Sequence, residues 1–272
     1  MDGLTDGQQR FFEDFGYLVL KQLFAREIGW ITEEFEAAFR ARDLRHDGSK
    51  RSCIVPFIDQ RERLCTLLDH PGLHQALTDI LGEDFNYLAG DGNYYTGDTG
   101  WHSDGEHARG LYVKAALYLD PVTSETGALR VIPCTHRLEA FTGTRVRKAG
   151  AGRQHWDLEP KDVPCVALES TPGDLVLFNH NLMHASVGGG KRRRMFTLNC
   201  GRRARTPEEL ADLEAYIAGM SRFWIDSSFS EVMKRTASPQ RMRHLEQVLA
   251  HETALPELSA KARQAALEPA RG

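Results

Sequence analysis

The sequence predicts a mainly β domain with helices on its outside, a jelly roll or barrel. Between Phe85 and Gly201, short runs rich in Tyr, Val, Leu and Phe alternate with clusters of Gly, Pro, Asp and Ser. That is the punctuation of consecutive short strands. Before and after this stretch, apolar residues recur at intervals of three and four, the period of amphipathic helices. No internal repeat or long linker divides the chain. Residues 1–272 are therefore expected to form one unit, with N-terminal helices over 1–83, a β core over 84–203 and C-terminal helices over 204–272.

Thr5 is placed to cap a helix that carries Phe11, Phe12 and Phe15 at helical spacing, and Gly16 ends it before the strand-like Tyr17–Leu20. Ile28, Ile31, Phe35 and Phe39 predict an amphipathic helix over residues 26–42. Further helices are expected over 60–68 and 71–81. The predicted strands then cover 86–96, 111–119, 129–132, 163–168, 174–178, 183–187 and 195–201. Helices resume over 207–220 and 239–251, and a last one follows Pro256 and frays by Pro269.

Composition narrows the function classes. With 41% hydrophobic and 26% charged residues and an ordinary 24 Gly and 11 Pro, the chain is neither fibrous nor disordered. Lys plus Arg number 34 against 38 Asp plus Glu, a formal charge of -4, so no basic field points to nucleic acid as a partner. The longest uninterrupted apolar run, residues 115–119, is far below the ~20 residues a membrane helix needs. The N-terminus lacks the basic patch and apolar stretch of a signal peptide. Cys53, Cys65, Cys134, Cys165 and Cys200 are scattered without CxxC spacing, as in reduced proteins. A cytoplasmic location is expected, without a membrane partner.

The densest chemical signal is Gly100-Trp101-His102-Ser103-Asp104-Gly105. In an extended chain residues i and i+2 share a face, so His102 and Asp104 can offer an imidazole and a carboxylate to one ion. A surface polar pair would look the same, and a third ligand is needed to decide. The segment Gly173 to Ser186 reads as strand, turn and strand and holds two candidates. His180 sits in a polar Asn-His-Asn turn, whereas His184 opens the next apolar strand with Ser186 at i+2; His184 is preferred. A helical zinc pair of His180 and His184 is disfavoured, because the preceding residues read as strand and no Glu adjoins His180. Two imidazoles and one carboxylate make the facial triad of non-haem Fe(II) oxygenases, which leaves coordination positions open for a cosubstrate and dioxygen.

Alternation over the last strand puts Arg193, Met195, Thr197 and Asn199 on one face and Arg194, Phe196 and Leu198 on the other. The first set suits a wet lumen. A guanidinium there could clamp a carboxylate by two parallel hydrogen bonds. Arg192 and Arg194 are expected in a solvated charge run.

The segment from Trp101 to Asn199 resembles the phytanoyl-CoA dioxygenase family of Fe(II)/2-oxoglutarate oxygenases. The matching pieces come in the family's order: Trp101-His102-Ser103-Asp104, Tyr118-Leu119-Asp120-Pro121, Thr126-Gly127-Ala128-Leu129-Arg130-Val131-Ile132-Pro133 with Thr135-His136-Arg137, Gly173-Asp174-Leu175, His184 and Arg193. The opening Phe12 to Leu20 pattern also fits. Cys134 departs from it, standing where the family commonly has Gly in a Pro-Gly-Ser-His turn. The resemblance implies a double-stranded β-helix whose lumen holds Fe(II) through His102, Asp104 and His184. It also implies 2-oxoglutarate as cosubstrate, its 5-carboxylate on Arg193 and Ser186. Asn93 is similar to positions that touch the 1-carboxylate in relatives, although a strand-edge Asn would read alike. Halogenating relatives have Ala or Gly in place of the carboxylate, so Asp104 implies hydroxylation of an unactivated C–H bond of a small-molecule substrate by dioxygen, with succinate and CO2 released. The family's substrates range over acyl-CoAs, amino acids, phosphonates and secondary metabolites.

Other residues carry weaker expectations. Trp101, Tyr94, Tyr95 and Tyr112 read as core or lumen walls. Lys114 interrupts an apolar strand, so it either snorkels to solvent or points inward at an anionic group, with a slight preference for the inward placement. His107 and His136 read as structural or supporting, and Arg145, Arg147, Lys148 and Arg153 as a solvated loop or a lid. Two rival functions remain: a cupin-like metal enzyme that does not use 2-oxoglutarate, and a non-catalytic jelly-roll binding module.

Overall fold

The computed structural model describes residues 3–138 and 157–271. The basic residues Arg145, Arg147, Lys148 and Arg153 lie outside the described residues.

Thr5 caps the Asp6–Phe15 helix, its hydroxyl accepting from the Gln8 N–H while the Gln8 side chain accepts from the Thr5 N–H. Gly16, at φ 82°, turns the chain into strand β1, Tyr17–Leu20. The Ile28–Ala41 helix buries Ile31, Phe35, Ala38 and Phe39, the stripe its periodicity predicts. The helix expected over 60–68 is instead a broken run of short turns, 3-10 at Ile58–Gln60, α at Glu62–Cys65 and 3-10 at Thr66–Asp69. The Pro71–Leu81 helix has its expected bounds.

The strands that follow are β2 (Ser52–Ile54), β3 (Asn86–Tyr87), β4 (Gly92–Tyr95), β5 (Thr99–His102) and β6 (Tyr112–Tyr118). After them come β7 (Leu129–Val131), β8 (Val166–Leu168), β9 (Leu175–Asn179), β10 (His184–Ser186) and β11 (Arg193–Gly201). Two antiparallel sheets result. One has the order β1-β9-β6-β11-β4-β2, with β3 also on β11, and the other β5-β10-β7-β8. The chain passes repeatedly from one sheet to the other, and Ala116, Tyr118, Val176, Phe178 and Met195 of the large sheet pack against Leu129, Val131 and Leu168 of the small one. This is a double-stranded β-helix.

Side-chain alternation decides what each strand buries. On β6, Val113, Ala115 and Leu117 face the helices, while Ala116 and Tyr118 face the second sheet. The helix-side cluster draws Phe35 and Phe57 from the N-terminal part, Tyr87 and Val113 from the β core, and Ile217 and Leu255 from the C-terminal part.

Three local differences from expectation have physical causes. The strand expected over 86–96 is interrupted, because Ala89 takes φ 63° and Gly90 lies so close to β11 that a Cβ there would sit 1.9 Å from the Thr197 carbonyl oxygen. Strands β2 and β5 are too short and polar to announce themselves. The helix expected over 239–251 is two, Pro239–Arg243 and Glu246–His251, parted where His244 stacks on Phe85. A further short helix, Glu231–Thr236, precedes them, and Pro207–Gly219 and Leu255–Ala265 complete the C-terminal part. No described helix is long and apolar enough to cross a membrane, and all five cysteines are free.

Cys134 adopts φ 67°, the left-handed region that glycine enters without strain. The turn therefore keeps the shape a glycine would give it, with the Cys134 N–H donating to the Phe15 carbonyl at 3.2 Å.

Candidate metal centre

Strands β5 and β10 are antiparallel neighbours, and His102 and His184 are directly paired in register. Their ring centroids lie 4.2 Å apart. Each ring is fixed by the same device. The His102 Nδ1–H donates to the Gly100 carbonyl at 2.8 Å and the His184 Nδ1–H to the Leu182 carbonyl at 2.9 Å. A carbonyl only accepts, so Nδ1 carries the proton and Nε2 keeps its lone pair for a metal.

Asp104 lies in the loop after β5, not on the strand, which corrects the alternation argument that paired it with His102. Its placement comes from two backbone bonds, the Asp104 and Gly105 N–H groups both donating to the His180 carbonyl at 2.9 and 3.3 Å. Lys114 points inward, as expected, with Nζ 2.8 Å from Asp104 Oδ1. Asp104 Oδ2 has no hydrogen-bond partner and lies 3.8 Å from His184 Nε2. Among the described residues, one ligand atom from each of His102, Asp104 and His184 lies within 4.8 Å of the others.

The electrostatics suit a cation. Burial works to raise the Asp104 carboxyl, but Lys114, His184 and His180 outweigh it and hold the group well below the ordinary carboxylate range. Burial pushes His184 down to about 4 against the opposing pull of Asp104, so its imidazole is neutral near pH 7. These are the protonation states a 2-His-1-carboxylate site requires.

The three groups open onto a cavity of about 480 Å³ between the sheets. Arg193, Met195, Thr197 and Asn199 all line it, the face that alternation assigned to the lumen. Arg193 is buried, and its Nε and Nη1 have no hydrogen-bond partner. Two glycines make its room: a Cβ on Gly127 would lie 1.7 Å from Arg193 Nη1 and one on Gly189 2.7 Å. An unpaired buried guanidinium is costly unless an anion meets it, and here it faces the cavity that holds the triad.

Ser186 lines the same wall, its hydroxyl donating to the Gly127 carbonyl at 2.9 Å, so it offers an arriving anion only what that bond leaves free. Asn93 is fully buried and does not line the cavity. Its Oδ1 accepts from Arg51 Nε at 2.8 Å and its Nδ2 donates to Asp91 Oδ2 at 2.7 Å. Its role here is to hold Arg51 and Asp91, which do line the cavity along with Tyr95. His180 stays out of the triad but lines the cavity, as does His107. The outward Arg194 is not merely solvated, since it is clamped by Asp120 and reaches Glu36. Trp101 packs with Val163 and Met183 and donates to the Pro160 carbonyl, and Tyr94 packs on Phe35 and Phe39; neither faces the cavity. The His136 Nε2–H donates to the Glu13 carbonyl at 3.0 Å, and the ring lies against Gly16.

The model of the family described as phytanoyl-CoA dioxygenase (PhyH) matches residues 12–195. The chain belongs to this family. No curated protein matches it. Among solved structures, this phytanoyl-CoA dioxygenase family member is similar to the non-haem alpha-ketoglutarate-dependent carbocyclase SnoK from nogalamycin biosynthesis, with TM-score 0.58 and 19% identity over 73% of this chain and 84% of that one. It is similar to HygX from Streptomyces hygroscopicus with nickel and 2-oxoglutarate bound, with TM-score 0.56 and 20% identity over 75% and 90%. It is also similar to EctD from S. alaskensis with 2-oxoglutarate and 5-hydroxyectoine, with TM-score 0.55 and 21% identity over 74% and 77%. At such identities the likeness is one of fold.

Proposed function

We propose that this family member is an Fe(II)- and 2-oxoglutarate-dependent dioxygenase that hydroxylates a C–H bond of a small molecule. One observation carries the reading: the convergent donors of His102, Asp104 and His184 share a single cavity with a buried, unpaired Arg193. A metal site alone would not call for that guanidinium, whereas a chelating dicarboxylate needs both.

His102, Asp104 and His184 would hold the iron. When bound, iron supplies the activation of dioxygen and the oxidative decarboxylation of 2-oxoglutarate to succinate and CO2. The protein's part is orientation and shielding. Arg193 binds the far carboxylate through its planar fork, with Ser186 beside it. The Nδ1–H contacts to Gly100 and Leu182 lock the imidazole rings, and Lys114 occupies one Asp104 oxygen so that the other faces the metal position. Phe178, whose ring lies 4.9 Å from that of His184, and Ala116 and Leu129 make the surrounding wall apolar. The free cysteines accord with a reducing, cytoplasmic setting.

The test is anaerobic titration with Fe(II) and 2-oxoglutarate, followed by the metal-to-ligand charge-transfer band, and then succinate release with candidate substrates and characterisation of the oxidised product. Loss of the band in His184→Ala and its survival in His180→Ala is expected. A cupin-like enzyme that does not use 2-oxoglutarate would form no such band and would be indifferent to Arg193→Ala.

A further inference from the structure

The cavity has a second polar end that neither the triad nor Arg193 uses. Asn199 stands six positions after Arg193 on β11, roughly 20 Å along an extended strand. Around that end several buried polar atoms lack partners: both ring nitrogens of His180, His107 Nε2, Asn199 Oδ1 and Asp212 Oδ2. All four residues line the cavity, and His180 is itself 1% exposed. Native proteins leave few such atoms, because each costs about as much as the lost hydrogen bond. A cluster of them along one cavity calls for a ligand.

The wall that completes this end is the Pro207–Gly219 helix. Asp212, Ala215, Tyr216 and Gly219, at helical spacing, all line the cavity. Tyr216 also stacks with Tyr112, ring centroids 5.8 Å apart, and Tyr112 with His107 at 3.9 Å, a rigid aromatic bank beside His180. The family match ends at residue 195, before both Asn199 and this helix. Asn199 and Asp212 thus come from a part of the chain that the match does not cover, while His107 and His180 lie within it.

The balance of the unpartnered atoms specifies the ligand. Asp212 Oδ2 and Asn199 Oδ1 only accept, while a neutral imidazole offers one donor and one acceptor. Acceptors are in excess, and a complementary molecule must bring donors. We infer that this end of the cavity, formed by His180, His107, Asn199 and Asp212, is the substrate-recognition site and selects a compact molecule bearing hydroxyl or amino groups, not a long acyl chain. The inference rests on the function proposed above, since it takes the triad as the reacting centre.

The test uses the intact protein, loaded anaerobically with Fe(II) and 2-oxoglutarate. Calorimetry would measure binding of a panel of amino sugars, aminocyclitols and polyols, set against fatty acids and fatty acyl-CoAs. Binding by a donor-bearing member is expected, weakened about ten-fold or more in His180→Phe and in Asp212→Ala. Asp212→Asn, close in shape to the native residue, keeps the test open if the larger changes impair folding, and it too is expected to weaken binding. Unchanged affinity in the variants, binding by the acyl compounds alone, or binding by no panel member would overturn the inference. Failure of the unaltered protein to form the charge-transfer band would instead overturn the proposed function.

Discussion

Lys114 Nζ lies 2.8 Å from Asp104 Oδ1, while Asp104 Oδ2 has no hydrogen bond and faces His184. The cation thus divides the carboxylate into an oxygen that is anchored and an oxygen that is free to bind a metal. A carboxylate held in this way acts through one atom and leaves more of the coordination sphere open. Replacing Lys114 by Met removes the anchor while keeping most of the volume. Metal affinity is expected to fall by a factor of about 10–100, the usual cost of losing a group that orients a ligand. Competitive Fe(II) or Zn(II) titration measures it, and an affinity equal to that of the parent would show that Lys114 does not orient Asp104.

Arg193 and Gly127 form a matched pair, since a Cβ on Gly127 would lie 1.7 Å from Arg193 Nη1 and Gly127 itself sits at φ 93°. Arg193→Lys removes the planar fork and Gly127→Ala displaces it. Both are expected to raise the 2-oxoglutarate KM on the order of a hundred-fold, as loss of a buried, bidentate charge contact does. Metal affinity in the absence of 2-oxoglutarate should stay near that of the parent. Parallel loss of metal binding would point to general disruption of the lumen.

Asp59 is fully buried, accepting from the Ser230 N–H at 3.0 Å, with the Tyr87 hydroxyl 3.4 Å away. Burial pushes its carboxyl up to about 7, and the Ser230 and Tyr87 hydrogen bonds only partly oppose it. Between about pH 4 and about pH 7 the folded chain keeps a proton that the unfolded chain has released, so this group lowers stability as pH rises through that window, with no further change above it. Asp59→Asn should flatten that part of the curve. Thermal melting of both proteins across the window checks the sign, and an unaltered slope would contradict it.

Cys134 at φ 67° sits where only glycine is unstrained. A left-handed non-glycine residue costs roughly 1–2 kcal/mol, and glycine gives back part of this through the freedom it gains in the unfolded chain. Cys134→Gly is therefore expected to stabilise the protein by up to about 1 kcal/mol. Denaturant unfolding measures it, and a destabilised variant would mean that the thiol's packing outweighs the backbone strain.

Phe57 packs in tilted contacts against Phe35 and Phe196, with ring centroids 5.2 and 5.3 Å away, and presses on Gly92. Phe57→Ala should cost about 3–5 kcal/mol, the range for emptying an aromatic core position. Calorimetric melting tests this, and a loss below about 1 kcal/mol would show that the helix layer closes over the gap.

Local chemistry made much of this protein legible from its residues alone. The capping box at Thr5, the buried stripe of the Ile28–Ala41 helix and the lumen face of β11 depend on spacings of two, three or four residues, which the chain carries with it. The sequence also offered His102, Asp104 and His184 as candidate ligands, because they are the residue types that a facial site requires. What the tertiary structure alone decided is long-range register. It pairs His102 with His184 across β5 and β10, it fixes Asp104 off the strand through the His180 carbonyl, and it brings Lys114 onto that carboxylate. It also lays the Pro207–Gly219 helix along the cavity, a placement no periodicity encodes, because a helix's apolar and polar faces say what it buries but not against which partner.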